Sequence, residues 1–152
     1  VESRYLSPEH LIRSLKAGRF YASSGVELES FRYDPDTKEY KIVIQGEQGV
    51  KYSTEFIGTM KDADFSSTPA LDKDGKPIRA TRKYSGEIGK TLSKVEGTTA
   101  TYKLTGQELY VRATVTSDKP HPDPSFKSQT EQAWVQPVGY SVPAVAPKAP
   151  QP

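Results

Sequence analysis

The sequence predicts a mainly-β fold: an antiparallel β-sandwich, Ig-like or jelly-roll-like, with one short N-terminal helix. Three observations predict it. Nine Tyr, five Phe and one Trp supply much of the apolar content of the 152 residues, and with many Thr and Val they suit pleated, half-buried strands. From Val26 onward apolar residues recur at a spacing of two. Turn residues punctuate the chain roughly every 8–12 residues, the rhythm of a sandwich or barrel.

The helix is expected over about residues 8 to 17. Ser7 is an N-cap candidate, and Pro8 fits the first helical position, where the missing N–H costs nothing. Glu9 sits in the first turn, Arg13 and Lys16 near the last, each complementing the helix dipole. Leu11, Ile12 and Leu15 form one apolar stripe. Gly18 is a natural stop.

The period then changes to two. Val26 and Leu28 alternate with Glu27 and Glu29, while Phe31 and Tyr33 continue on the other parity, so a bulge is expected near Ser30. Asp34-Pro35-Asp36 opens a turn. Tyr40, Ile42 and Ile44 follow on one face, then Tyr52, Thr54 and Phe56 after the turn at Gly46 to Gly49. Together these predict a three-strand meander. Residues 60–77 read as irregular. Further strands are expected at 78–84, 87–95, 99–104 and 108–117, with Leu109, Val111, Ala113 and Val115 sharing one face, and a short last strand at 131–135. The division is a helix over 1–18, a β-sandwich over 19–136 and a Pro/Ala-rich tail of polyproline II character over 137–152.

Composition narrows the function classes. Net charge is 21 − 19 = +2, too small to imply a nucleic-acid partner. Cysteine is absent, so disulfides, thiolate metal sites and Cys nucleophiles are impossible. No apolar stretch approaches the roughly 18 residues a membrane helix requires. The chain opens on Val1 and its only methionine is Met60, which leads us to expect part of a longer or processed polypeptide.

Candidate chemistry is sparse. The segment GRFYASSG, residues 18–25, brackets two serines with glycines. It has no Lys-Ser or Lys-Thr for a phosphate loop, no helix following it for a dinucleotide site and no G-x-S-x-G elbow. It reads as a structural joint between helix and sheet, built from Gly18, Arg19, Phe20, Tyr21 and Gly25. Asp62, Asp64, Asp72 and Asp74 are calcium candidates because calcium takes several oxygen ligands, although the closing bidentate Glu of an EF-hand loop is missing. The two histidines, His10 and His121, lack any local metal or triad signature. Tyr33, Tyr40, Tyr52, Tyr84, Tyr102, Tyr110 and Trp134 are candidates to line a carbohydrate-binding face, since exposed aromatics on a sheet grip sugars. Of these Tyr110 and Trp134, with Arg112, whose guanidinium can pair with a carboxylate or stack on either ring, are the ligand-binding candidates. Each serves equally well as packing or as a solvent-facing residue.

The stretch LIRSLKAGRFYASSGVEL resembles a segment of the polymerase and histidinol phosphatase (PHP) family of metal-dependent phosphoesterase-like proteins. Leu15, Lys16, Gly18, Arg19, Phe20, Tyr21, Ala22, Ser23 and Gly25 match its pattern. ELYVRATVTSDKP with EQAWVQPV is similar to the end of the β-rich appendage of secreted bacterial members, through Tyr110, Val111, Arg112, Ala113, Ala133, Trp134, Gln136 and Pro137. The two stretches cover about a quarter of the chain. The family's metal ligands lie in H-x-H and D-x-H pairs on a (β/α)₇ barrel. Neither pair occurs here, so no catalytic or metal residue carries over.

The resemblance implies the barrel's closing helix followed by its appended sandwich. The expectation is therefore a non-catalytic accessory module, without a cofactor, whose partner is the missing N-terminal barrel of the same polypeptide, in a secreted or periplasmic protein. The alternative is an extracellular carbohydrate-binding or interaction module. The stripe Leu11, Ile12, Leu15 is expected either to fold back on the sandwich or to pair two copies into a homodimer.

Overall fold

The computed structural model describes residues 1–140. It contains α1 (Pro8–Lys16), β1 (Tyr21–Ser23), β2 (Leu28–Asp34), β3 (Glu39–Ile44), β4 (Tyr52–Met60), β5 (Ser67–Leu71), β6 (Pro77–Tyr84), β7 (Lys90–Glu96), β8 (Thr99–Lys103), β9 (Glu108–Pro120) and β10 (Thr130–Val135). The strands form three antiparallel sheets: five strands in the order β1-β10-β9-β4-β7, three in the order β2-β3-β8, and the hairpin β5-β6. The fold is mainly β, a sandwich with one short helix.

One core joins the two larger sheets. Tyr40, Ile42, Ile44 and Ala100 come from the three-stranded sheet; Phe56, Val111, Ala113, Val115, Ala133 and Val135 come from the five-stranded one. Phe56 bridges them, its ring 5.9 Å from Tyr40 edge-on and stacked on Tyr102 at 5.4 Å. Truncating such a buried aromatic costs about 3–5 kcal/mol. The Tyr40 hydroxyl is buried but donates to the Gln136 carbonyl at 3.0 Å, which satisfies it. Burial raises its pKa.

The bulge appears where parity required it, as a register shift between Leu28 and Ser30. Three expectations are corrected. The meander stops after two strands: β3 pairs with β2 and β8, whereas β4 crosses to the other sheet, between β9 and β7. Residues 60–77 are not all irregular, because Ser67–Leu71 pairs with β6. Leu109 does not share the inward face of Val111, Ala113 and Val115: a register shift between Thr59 and Met60 turns Glu108 inward and leaves Leu109 exposed.

The helix is held in an unusual orientation. Ser14, on its polar side, is 3% exposed, whereas Ile12 and Leu15 are 52% and 44% exposed. Ser14 therefore faces the protein, Leu11 is half-buried at the edge, and Ile12 and Leu15 face out. Fold-back onto the sandwich does not occur, because the core closes without any residue of α1. Ser7 occupies the N-cap position, but its hydroxyl makes no capping bond; it bonds the His10 ring Nδ1 at 2.7 Å. The tail boundary also differs from expectation. Val138 still pairs with Val111, each amide donating to the other's carbonyl at 3.0 and 2.8 Å. The rest of the expected tail, 141–152, lies outside the described residues.

Candidate functional site

The candidate site forms on the outer face of the five-stranded sheet. Successive side chains of a strand alternate between faces. With Val111 and Ala113 in the core, Tyr110 and Arg112 must therefore point outward from β9. In β10, Ala133 and Val135 are buried, so Trp134 points outward too. Trp134 pairs with Thr114, which makes it the diagonal neighbour of Arg112, within reach of long side chains.

The segment after β10 completes the arrangement. The Val111–Val138 bridge brings Pro137 and Tyr140 alongside β9. Tyr110, Arg112, Pro137 and Tyr140 line a hollow of about 390 Å³, within the usual size of small-ligand sites. Trp134 flanks it, 38% exposed. The Tyr110 hydroxyl accepts from the Thr59 hydroxyl at 3.3 Å, and that hydroxyl in turn accepts from the Gly89 amide at 2.9 Å. The Arg112 guanidinium donates to the Thr114 hydroxyl at 3.2 Å. It has no carboxylate partner among the described residues, so donors remain for a ligand. Chemically the hollow offers aromatic rings that can stack on a flat ligand and one planar cation with donors to spare. The fold thus brings Tyr110 and Arg112 together with Trp134 beside them, whereas Tyr40 and Tyr52 of the expected aromatic face are buried in the core; Pro137 and Tyr140 lie in the segment expected to be tail.

The four calcium candidates are not brought together. Asp72 and Asp74 lie in the β5–β6 turn, where Asp72 Oδ1 accepts the Asp74 and Lys76 amides, both at 2.9 Å. Asp64 lies at the other end of the hairpin, and its carboxylate accepts the Ser66 amide at 2.8 Å and hydroxyl at 2.9 Å. Those bonds, the amide first, hold its pKa below the ordinary carboxylate value. A five-residue strand at about 3.3 Å per residue keeps the two pairs apart. Among the described residues no three His, Asp or Glu side chains are grouped to hold a metal ion.

The residues of the expected joint lie between the end of α1 and the start of β2. Gly18 has φ +68°, and the amides of Gly18 and Arg19 donate to the carbonyls of Leu15 and Ser14 at 3.0 and 2.9 Å, ending the helix. Tyr21 then enters β1, its ring edge-on to Phe31 at 5.5 Å and its hydroxyl accepting the Leu28 amide at 3.2 Å. Gly25 has φ +150°, and a Cβ there would collide with the Glu131 side chain. Phe20 is half-buried and Arg19 exposed. The histidines are locally bonded: His10 to Ser7, and His121 Nδ1 accepting the Asp123 amide at 3.1 Å.

No protein-family model, curated protein or solved structure matches the chain.

Proposed function

We propose that the chain is a non-catalytic β-sandwich module of a PHP-type metal-dependent phosphoesterase-like protein, and that α1 is the element by which it docks on the barrel of that protein. The observation that carries this reading is the outward-turned apolar stripe of α1. Ile12 and Leu15 stay about half exposed beside a core that is already complete. Full burial of each side chain is worth about 1.5–3 kcal/mol, so a second folded body gains by covering them. The resemblance through Leu15 to Gly25 supplies the identity of that body, and the resemblance through Tyr110 to Ala113 and Ala133 to Pro137 a secreted or periplasmic setting.

The test has two steps. Reading the coding sequence upstream of Val1 should reveal a barrel with H-x-H near its start and D-x-H close before this segment. Hydrogen exchange of α1 amides should then be markedly slower in the longer polypeptide than in residues 1–152. A different upstream domain, or equal exchange rates, refutes the proposal.

A second reading is favoured by the hollow of Tyr110, Arg112, Pro137 and Tyr140 beside exposed Trp134: an extracellular carbohydrate-binding module. Trp134 is the only tryptophan, so its emission reports directly on that face. Titration with a panel of neutral oligosaccharides should give a saturable change that Y110A and R112A abolish. A flat titration across the panel rejects this reading.

A further inference from the structure

We propose that a second, separate site binds a phosphate-class oxyanion in the cleft between the N-terminal segment, the polar side of α1 and β2. The cleft has a volume of about 560 Å³, and its walls include Arg4, Arg13, Arg19 and Arg32, with His10 and a single carboxylate, Glu2.

The enrichment is specific in type and place. The chain has seven arginines, at 4, 13, 19, 32, 79, 82 and 112, among 21 cationic residues, so 21 − 7 = 14 are lysines. Four of the seven arginines line this one cleft and no lysine does. A cationic face that serves only solubility has no reason to select one cation over the other. A guanidinium presents a rigid fork of donors that matches phosphate and sulfate oxygens two at a time, which an ammonium does not.

The charges are also mostly uncompensated. Of the four, only Arg32 has a carboxylate partner among the described residues, Glu2 at 3.6 Å. Arg4 lies over the Tyr5 ring, 5.4 Å from its centre. Four guanidiniums against one carboxylate leave a local excess of three positive charges in a chain whose total is +2. Concentrating like charge around a concavity is costly without an anion to share.

The frame of the cleft is tied. The Glu2 amide donates to the Arg19 carbonyl at 2.8 Å, and the Arg19 amide donates to Ser14 at 2.9 Å. Arg19 and Arg32 also border an adjoining cleft of about 640 Å³, whose walls include Tyr33 and Tyr140. An ester therefore has room for its organic part while its anionic head sits among the arginines. This site lies on the side of α1 opposite the apolar stripe, and it stands or falls independently of the docking reading.

Calorimetric titration with inorganic phosphate and pyrophosphate tests it. Pyrophosphate should bind saturably, and R13Q/R19Q should weaken it at least tenfold with an unchanged melting temperature. R79Q/R82Q removes the same charge elsewhere and should leave binding within twofold. Phosphatidic-acid vesicles separate the sources of the phosphate. Binding to pyrophosphate alone assigns a soluble ligand, and additional R13Q/R19Q-sensitive binding to vesicles assigns a lipid headgroup; either supports the site. No saturable pyrophosphate binding overturns it, as does equal weakening by the two double variants, which would mean diffuse charge attraction.

Discussion

Replacing Glu108 by Gln probes the most heavily bonded carboxylate of the sandwich. Its side chain is 3% exposed. Oε1 accepts the Tyr102 hydroxyl at 2.9 Å, the Thr105 amide at 3.1 Å and the Thr105 hydroxyl at 3.0 Å, while Oε2 accepts the Gly106 amide at 3.0 Å. A hydrogen bond to a charged acceptor contributes about 1.5–3 kcal/mol. Gln keeps one carbonyl oxygen but turns its NH₂ toward donors on the other side. Water can replace the acceptor at the exposed end of the turn, so the four contributions do not add. The expected loss is about 2–4 kcal/mol, or about 6–12 °C in Tm for a domain of this size. Burial pushes the Glu108 pKa up, but the Thr105 amide, its own amide and the Tyr102 and Thr105 hydroxyls outweigh burial and hold it low. A lowered folded pKa gives stability that is complete above the unfolded value, about 4.3, and is lost as pH falls through the folded one. Urea unfolding of wild type and E108Q between pH 7 and pH 2 should therefore show a constant gap down to about pH 4.5 that narrows below it. A gap under about 0.5 kcal/mol at pH 7, or one undiminished at pH 2, refutes the reasoning.

The same clamp has an alkaline side. Burial first, then the hydrogen bond and charge of Glu108, push the Tyr102 pKa up to about 12. A raised folded pKa gives stability that is present below the unfolded value, about 10, and lost as pH rises toward the folded one; Y102F should unfold with a flatter pH dependence above 10 in chemical-denaturation curves. G25A should cost about 2 kcal/mol or more, read as a lower urea midpoint at unchanged slope, because the new methyl meets Glu131 at φ +150°. If it unfolds like wild type, the Glu131 side chain yields freely. I12E/L15E should change the melting temperature of residues 1–152 by no more than a degree or two, since both side chains are already about half exposed. In analytical ultracentrifugation, a dimer that this variant splits would instead make a second copy the partner of the stripe.

The sequence reading worked best where the signal is local. The helix is set by Pro8, its charges and Gly18, and it runs Pro8–Lys16. The Ser30 bulge is set by side-chain parity. What failed is non-local. Alternation in Tyr52–Phe56 says which side chains point together, not which strand lies beside them, and β4 lies between β9 and β7 rather than beside β3. Ser67–Leu71 holds Pro69 and little alternation, and it became a strand only through β6. The inward turn of Glu108 follows from a register shift against Met60 that no run of neighbouring residues announces. The stripe of α1 was legible, but its outward orientation was not, because orientation depends on what Ser14 meets. Likewise Arg4, Arg13, Arg19 and Arg32 are scattered along the chain, and only folding places them around one cleft.

The β5–β6 hairpin shares no ladder with the two larger sheets, and among the described side chains none between Phe65 and Tyr84 belongs to the buried core cluster. At its base the Ser85 hydroxyl donates to the Asp64 carbonyl at 2.7 Å and the Asp64 amide donates to the Glu87 carboxylate at 2.7 Å. The chain thus carries a detachable appendage between two strands that are themselves neighbours, β4 and β7. Such a segment can lengthen, shorten or be exchanged over evolutionary time without disturbing the packing beneath it, and it is the natural place to graft a foreign loop or an affinity tag.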